Sequence, residues 1–247
     1  MKWLLEHVDS RISTLSPRMF STLSSARTRL DLGWIHQLPH MSRGYIQALC
    51  IRVGCCGRAD VADLRFYRDF TGHLKSEVGH PPKLQDWMQS AGFSDVPGRP
   101  DFCGVPATPE TTRMVLHCWE VAEHAPADEQ VVSLNLVLEG GGFRFFTAAT
   151  KAVGDAGLPL GKFWSDHGDD LAHAQVGVDK LGEVEEGSDQ GRRLLAAADR
   201  TLDLLDPMLE SWADGSSGID LDVPDFLSEM AALRRPPTGD RGSNADG

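Results

Sequence analysis

The sequence lacks any apolar run that approaches the roughly 18 residues needed for a membrane-spanning helix. Basic residues are also scarce: 24 Lys and Arg stand against 36 Asp and Glu, which gives a formal net charge of −12. Nucleic-acid phosphates are neutralised by Lys and Arg, so this balance argues against a nucleic-acid partner. We therefore expect neither a membrane nor a nucleic acid among the partners of this chain.

Cysteines are few and show no pattern. Their odd number and uneven spacing predict neither a disulfide framework nor a zinc site. We expect reduced, mostly buried thiols and a cytoplasmic protein. The five are Cys50, Cys55, Cys56, Cys103 and Cys118.

Strand signals are nearly absent, because alternating β-branched segments between tight turns do not occur. Apolar residues instead recur at helical spacing. We predict an all-α fold, a single helical bundle of about seven or more helices within residues 1–234. Residues 235–247 have almost no apolar content and are predicted to be a disordered tail. The predicted helices include residues 109–124, 128–153, 159–181 and 190–213.

A ligand-like triplet occurs twice, about ninety residues apart. The first copy is His73-x3-Glu77-x2-His80. Helix positions i, i+4 and i+7 lie within roughly 60° of one another, so the three side chains share one face. Glu77 and His80 have the i, i+3 spacing of helical diiron carboxylate proteins. His73 is interpreted as either a ligand or a supporting residue, and a purely structural role is the alternative for the whole triplet.

The second copy is Asp166-x3-Asp170-x2-His173, with His167 and Asp169 between its members. No Lys or Arg follows Asp166 before residue 180 to relieve the crowded carboxylates. A bound cation would neutralise such a cluster, whereas an acidic patch near a helix start is the alternative. Two facing triplets predict a mixed carboxylate and imidazole cage, which suits iron or manganese better than calcium.

Glu139 is embedded in an apolar run and is followed by three glycines, at 140–142. A buried carboxylate is costly unless it is paired or metal-bound, so Glu139 is predicted to bridge metal ions. The glycines are expected to permit a local bulge in the helix. Arg144 is a candidate anchor for a substrate carboxylate, or a partner for one of the clustered Asp residues. A further set, His117, Glu120 and His124, is interpreted as an exposed helix end.

Three ordered segments carry a family resemblance. They are Glu-Val-Gly-His at 77–80, Leu-Glu-Gly at 138–140 and Phe-Trp-x2-His-x2-Asp-x2-His at 163–173. Over roughly residues 60–213 the chain resembles the heme-oxygenase-like diiron oxidases and oxygenases. These are similar in fold to heme oxygenase and to thiaminase-type helical proteins.

The resemblance implies an enzyme that binds two Fe(II) ions, with manganese as the alternative metal, and uses O2 as co-substrate. It implies a small amino-acid or amine substrate, with N-oxygenation, C–C cleavage, desaturation or nitrile formation as reaction, in specialised metabolism. An external reductant and a homodimer are further expectations. The residues that match the family's ligands are Glu77, His80, Glu139, Asp170 and His173, completed by either Asp166 or His167.

The aromatic residues Phe143 and Phe146 are candidate walls of the substrate pocket, and core packing is the alternative for both. Two other readings of the chain remain open. One is a metal-independent enzyme of the thiaminase type or a small-molecule-binding protein of the same fold. The other is a helical interaction protein with an acidic face.

Overall fold

The computed structural model describes residues 1–56, 64–93, 105–167 and 171–215, and the secondary-structure elements within these residues are all helices, with no strand among them. The all-α prediction is therefore confirmed. In chain order the elements are α1 (Lys2–Ser13), α2 (Pro17–Ser25), a 3-10 segment (Arg29–Gln37), α3 (Leu38–Cys56), α4 (Leu64–Glu77), α5 (His80–Ser90), α6 (Pro109–His124), α7 (Ala127–Gln130), a π-helical segment (Val131–Glu139), α8 (Gly140–Asp155), α9 (Gly161–Asp166), α10 (Leu171–Ala174), a 3-10 turn (Val178–Lys180) and α11 (Asp189–Asp214).

Helix starts follow local capping chemistry. The Thr108 hydroxyl accepts a hydrogen bond from the backbone N–H of Thr111 at 3.1 Å, and Pro109 fills the first helical position of α6. The Ser188 hydroxyl caps α11 in the same way, accepting from the Gly191 N–H at 3.0 Å. Such caps satisfy backbone donors that lack a partner inside the helix. The predicted boundaries of α6 are accordingly confirmed.

The centre of the bundle is one continuous rod made of α7, the π-helical segment and α8. The backbone stays helical across both junctions, at Val131 and at Gly140. All nine residues of the π-helical segment are buried. A helix that is buried on every side belongs to the core rather than to a surface layer. Residues on this rod are therefore in contact with several neighbouring helices at once.

The widened turns lie just before the three glycines, rather than at them as expected. The glycines themselves begin α8 in ordinary α-helical form. A Cβ at Gly141 would lie 2.6 Å from a Leu205 methyl carbon, so this glycine lets α8 approach α11 closely. The irregular segment instead carries Glu139 as its last residue.

The predicted continuous helix over residues 159–181 is wrong. The described part of the segment contains the short helices α9 and α10 and a 3-10 turn. Gly161 and Gly177 have φ of +60° and +80°, a backbone conformation that does not continue a right-handed helix. Asp166 and His173 of the second triplet accordingly lie on two different helices, α9 and α10.

Several expectations concern residues outside the described ranges. They include Cys103, the tail at 235–247, and Asp169 and Asp170 of the second triplet. Of the other cysteines, Cys56 and Cys118 are buried as expected, whereas Cys50 is exposed. None of the described helices combines the length and the apolar character that crossing a membrane requires.

Candidate metal centre

Carboxylates and imidazoles from four elements meet inside the bundle. His73 and Glu77 come from α4, His80 begins α5, Glu139 ends the π-helical segment and His173 lies on α10. His73, Glu77 and Glu139 are only 2%, 6% and 8% exposed. One ligand atom from each of His73, Glu77, Glu139 and His173 lies within 4.8 Å of all the others. This is a group that could hold a metal ion.

Glu77 lies between two histidines. Its Oε1 is 2.8 Å from His173 Nδ1, and its Oε2 is 2.8 Å from His80 Nδ1. Neighbouring ligands on one octahedral ion, with bonds of about 2.1 Å, are separated by about 3 Å. His80 Nδ1 is buried and makes no hydrogen bond of normal geometry in the part of the chain that is described. Spacing and donor chemistry thus fit a set of ligands that converge on a cation.

The electrostatics keep this carboxylate charged. Burial raises the pKa of Glu77, but the contacts with His173 and His80 outweigh burial and hold the pKa well below its usual range. Burial, together with the charges of Glu139 and Glu77, raises the pKa of Tyr45. Tyr45 therefore stays a neutral phenol, and its hydroxyl donates to the Leu134 carbonyl at 3.0 Å.

A buried polar network supports one end of the site. Arg52 Nη1 donates to Asn135 Oδ1 at 2.8 Å. Asn135 Nδ2 lies 3.0 Å from His73 Nδ1 and 3.1 Å from the backbone oxygen of His173. His73 Nε2 lies 3.0 Å from Glu139 Oε1.

Arg52 is fully buried, and its Cζ lies 3.3 Å from the Phe70 ring centroid. Burial lowers the pKa of Arg52 to about 10. We call Arg52, Asn135 and His73 the polar end of the site.

An apolar cavity borders the opposite end of the site. Its volume is about 100 Å³, and Glu77, His80 and Glu139 reach its wall. The remaining lining is mainly aliphatic and aromatic, and includes Leu38, Met41, Phe145, Phe146, Phe163 and Trp212. We call this region the cavity end of the site.

His167 lies at the cavity end among aromatic rings. Its ring centroid is 4.1 Å from that of Phe146, 4.3 Å from that of Phe163 and 4.4 Å from that of His80. Its Nδ1 lies 2.7 Å from the Phe163 carbonyl oxygen. A carbonyl can only accept, so Nδ1 carries a proton and Nε2 has the lone pair. Burial lowers the pKa of His167 to about 4, which keeps that lone pair available.

A polar cleft opens on the other side of His173. It is lined by charged residues of α4 and of the 3-10 turn, including Arg68, Asp69 and Lys180, and it also reaches His73. Lys180 and Asp69 form an ion pair across it. The group of ligand-like residues thus lies between a polar cleft and an apolar cavity.

The structure places other predicted residues away from this group. Asp166 Oδ2 contacts Lys83 Nζ at 2.5 Å, which keeps the pKa of Asp166 below its usual value, and it is not part of the ligand-like group. Arg144 donates to the carbonyl of Ile12 and lies over the Phe20 ring, so it contacts α1 and α2, and it is not among the residues that line the cavity. Phe146 lines the cavity, whereas Phe143 does not.

The expectation that the histidines of α6 lie at an exposed helix end is wrong for His117. His117 is buried and lies 3.0 Å from the Thr201 hydroxyl, so it packs α6 against α11 and is not at an exposed helix end. His124 is exposed, as expected. Neither belongs to the ligand-like group of His73, Glu77, Glu139 and His173.

Sequence reasoning missed Arg52 and Asn135. The signal for Asn135 was present, since it is a polar residue in the apolar run and lies four positions before Glu139. Residues four apart share one helix face. Arg52 carried a weaker signal, as a charged residue beside the apolar positions of α3. Its contact with Asn135 joins positions 83 residues apart and has no local signature.

No protein-family model matches the chain, and no curated protein matches it. A solved structure does match: a domain of unknown function with a heme oxygenase-like fold from Shewanella denitrificans OS217. The TM-score is 0.64 at 17% sequence identity, over 86% of this chain and 90% of that chain. The fold is heme oxygenase-like. At this level of sequence identity the likeness concerns the fold alone.

Proposed function

We propose that this chain is an O2-dependent non-heme diiron oxidase or oxygenase that acts on a small substrate. The observation that carries the proposal is the buried convergence of Glu77, His80, Glu139 and His173 beside an apolar cavity. Carboxylate and imidazole atoms about 3 Å apart have the spacing of neighbouring ligands on one cation. Mixed oxygen and nitrogen ligands suit iron, with manganese as the alternative.

The sequence left open whether Asp166 or His167 completes the set of metal ligands. His167 is the better candidate. Its Nδ1–H is held by a backbone carbonyl, the usual arrangement that orients a metal-ligating imidazole. Its Nε2 is then directed away from that carbonyl with a free lone pair. Asp166 is already neutralised by Lys83. Asp170 remains a proposed ligand that lies outside the described residues.

Iron ions, when bound here, would supply the electrons and the open coordination positions that O2 chemistry requires. The chain's own residues hold and shield the reaction. Glu77 keeps its negative charge between two imidazoles. Phe145, Phe146 and Phe163 give the cavity an apolar lining, and charge interactions are stronger beside apolar surface than in water.

Of the two substrate classes implied by the family resemblance, the amine is favoured over the amino acid. Among the described residues that line the cavity there is no Lys or Arg to pair with a carboxylate. Arg144, the expected anchor, is engaged by α1 and α2. The cavity is also smaller than the roughly 150 Å³ that holds benzene in an engineered protein core. We propose a small amine with an apolar body.

Anaerobic titration of the purified metal-free protein with Fe(II), followed by rapid mixing with O2, tests this function. We expect about two iron ions per chain and a transient visible absorption after mixing. Glu139→Ala and His173→Ala should bind fewer ions and lose the transient. His124→Ala is the matched control, because His124 is an exposed histidine outside the site, and it should behave as the unmodified chain.

The absence of stoichiometric iron binding would contradict the proposal. The chain would then be a metal-independent helical enzyme or a small-molecule-binding protein of the same fold. Substrate class is tested separately, by comparing short primary amines with amino acids of equal chain length. We expect only the amines to change the decay of the absorption transient.

A further inference from the structure

Three of the polar contacts at the site involve the amide of Asn135. Its Oδ1 faces Arg52 Nη1, and its Nδ2 faces both the His173 backbone oxygen and His73 Nδ1. A guanidinium nitrogen only donates, and a backbone carbonyl oxygen only accepts. These two neighbours independently fix the same amide orientation, with the oxygen toward Arg52 and the amino group toward the histidines.

The orientation of Asn135 decides the hydrogen-bonding state of His73. The Asn135 amino group has two hydrogens, one for the His173 carbonyl and one for His73 Nδ1. His73 Nδ1 must therefore accept, and a neutral imidazole that accepts at Nδ1 has its proton on Nε2. That Nε2 lies 3.0 Å from Glu139 Oε1, the distance of an N–H···O hydrogen bond.

We propose that His73 is a positioning residue that holds Glu139 through an Nε2–H hydrogen bond, and that it is not a metal ligand. A ligating nitrogen needs a free lone pair, and His73 offers none: Nδ1 accepts from Asn135, and Nε2 carries the proton. Its proximity to Glu77 and His173 reflects the crowding of the site and not shared coordination. Arg52 and Asn135 act through His73, because they determine which of its nitrogens carries the proton.

This inference rests on the proposed function for the role of Glu139, and it specifies how that carboxylate is presented. Donation from His73 occupies one lone pair of Oε1 and leaves Oε2 unoccupied by this contact. The hydrogen bond thereby sets the direction in which Glu139 offers its other lone pairs. Supporting contacts of this kind orient metal-binding carboxylates in general.

Nitrogen-15 NMR of the histidine rings in the full-length, metal-free protein tests the assignment directly. Signals of His73 are identified by their loss in His73→Gln. We expect the Nε2-protonated form for His73 and, in the same spectrum, the Nδ1-protonated form for His167. Asn135→Asp replaces the donating amino group with an acceptor and should place a proton on His73 Nδ1. An Nδ1-protonated His73 in the unmodified chain would overturn the proposal, whether or not the variant folds.

Anaerobic Fe(II) titration provides the second readout. His73→Gln keeps an N–H donor near the position of Nε2, so it should bind as many ions as the unmodified chain, with affinity within about threefold of the unmodified value. His73→Leu removes the donor and should weaken binding by roughly 10- to 100-fold, the usual cost of losing an orienting contact. Loss of an ion in His73→Gln, matching that in His173→Gln, would make His73 a ligand and overturn the proposal.

The two readouts separate this inference from the proposed function. If the unmodified chain binds no Fe(II), the diiron function fails, while the spectrum still decides the protonation state of His73. If the chain binds iron and His73 is protonated at Nδ1, the function stands and the positioning role fails.

Discussion

His73 and His167 lie at opposite ends of one site, and the same ring atom is used in opposite ways. Nδ1 of His73 faces a side-chain amino group and accepts, whereas Nδ1 of His167 faces a backbone carbonyl and donates. One ring therefore presents a proton at Nε2 and the other presents a lone pair. The role of each of these two histidines therefore follows from the partner of its Nδ1 atom.

The two ends also differ in what stabilises them. The polar end is held by the hydrogen bonds of Asn135 with Arg52, His73 and His173, and Arg52 and Asn135 are fully buried. The cavity end is held by packed rings, such as Phe145 against Trp34 at 5.3 Å and against Trp212 at 5.4 Å between centroids. Changes of volume should therefore dominate at the cavity end, and changes of polarity at the polar end.

The largest expected effect is that of Phe145→Ala. Phe145 is 3% exposed, and truncating a buried Phe costs about 3–5 kcal/mol of unfolding free energy. The measurement is urea denaturation of the metal-free protein. Phe143→Ala, on the same helix but only half-buried and away from the cavity, is the matched control and should cost less than about 2 kcal/mol. Equal losses in both variants would contradict the packing account of the cavity end.

The pH dependence of the free energy of unfolding should distinguish His167 from a solvent-exposed histidine. Burial lowers its pKa to about 4 in the folded chain, so between about pH 6.5 and pH 4 the unfolded chain binds the proton and the folded chain does not. The free energy of unfolding should thus fall as pH falls through this window, by about 3 kcal/mol from this group. His167→Phe should lack that part of the fall in urea titrations of the metal-free protein. Parallel pH profiles for the two proteins would refute the buried, neutral state of His167.

A change of polarity without much change of volume should be costly at the polar end. Asn135→Leu leaves Arg52, His73 Nδ1 and the His173 carbonyl without their amide partner, and we expect a loss of about 2 kcal/mol. Ser133→Ala, two residues earlier in the same buried segment, is the control. The Ser133 hydroxyl reaches the Ala197 carbonyl only at 3.5 Å, so its loss should cost less than about 1 kcal/mol. A tolerated Asn135→Leu would mean that the polar end is not held by its hydrogen bonds.

The features that the sequence predicted correctly are those that depend on local residue patterns. Helical periodicity and capping residues predicted the all-α bundle and the start of α6, and an acid inside an apolar run predicted the burial of Glu139. Long-range contacts could not be predicted from the sequence, because the pairing of Arg52 with Asn135 depends on how α3 packs against the central rod. The helix predicted over 159–181 was wrong because spacing alone cannot show that Gly161 and Gly177 adopt positive φ.

The smallest predicted effect concerns Asp166, which sequence spacing placed among the ligands and the structure places beside Lys83. Both side chains of this ion pair are about one-third exposed, so their coupling energy in a double-mutant cycle of Lys83→Met and Asp166→Asn should be below about 1 kcal/mol. Lys83 lowers the pKa of Asp166, so this small contribution is present above the ordinary Asp pKa and is lost as pH falls through the lowered value. Asp166→Asn should also leave the number of Fe(II) ions bound unchanged. Loss of an ion in that variant would return Asp166 to the ligand set and weaken the case for His167.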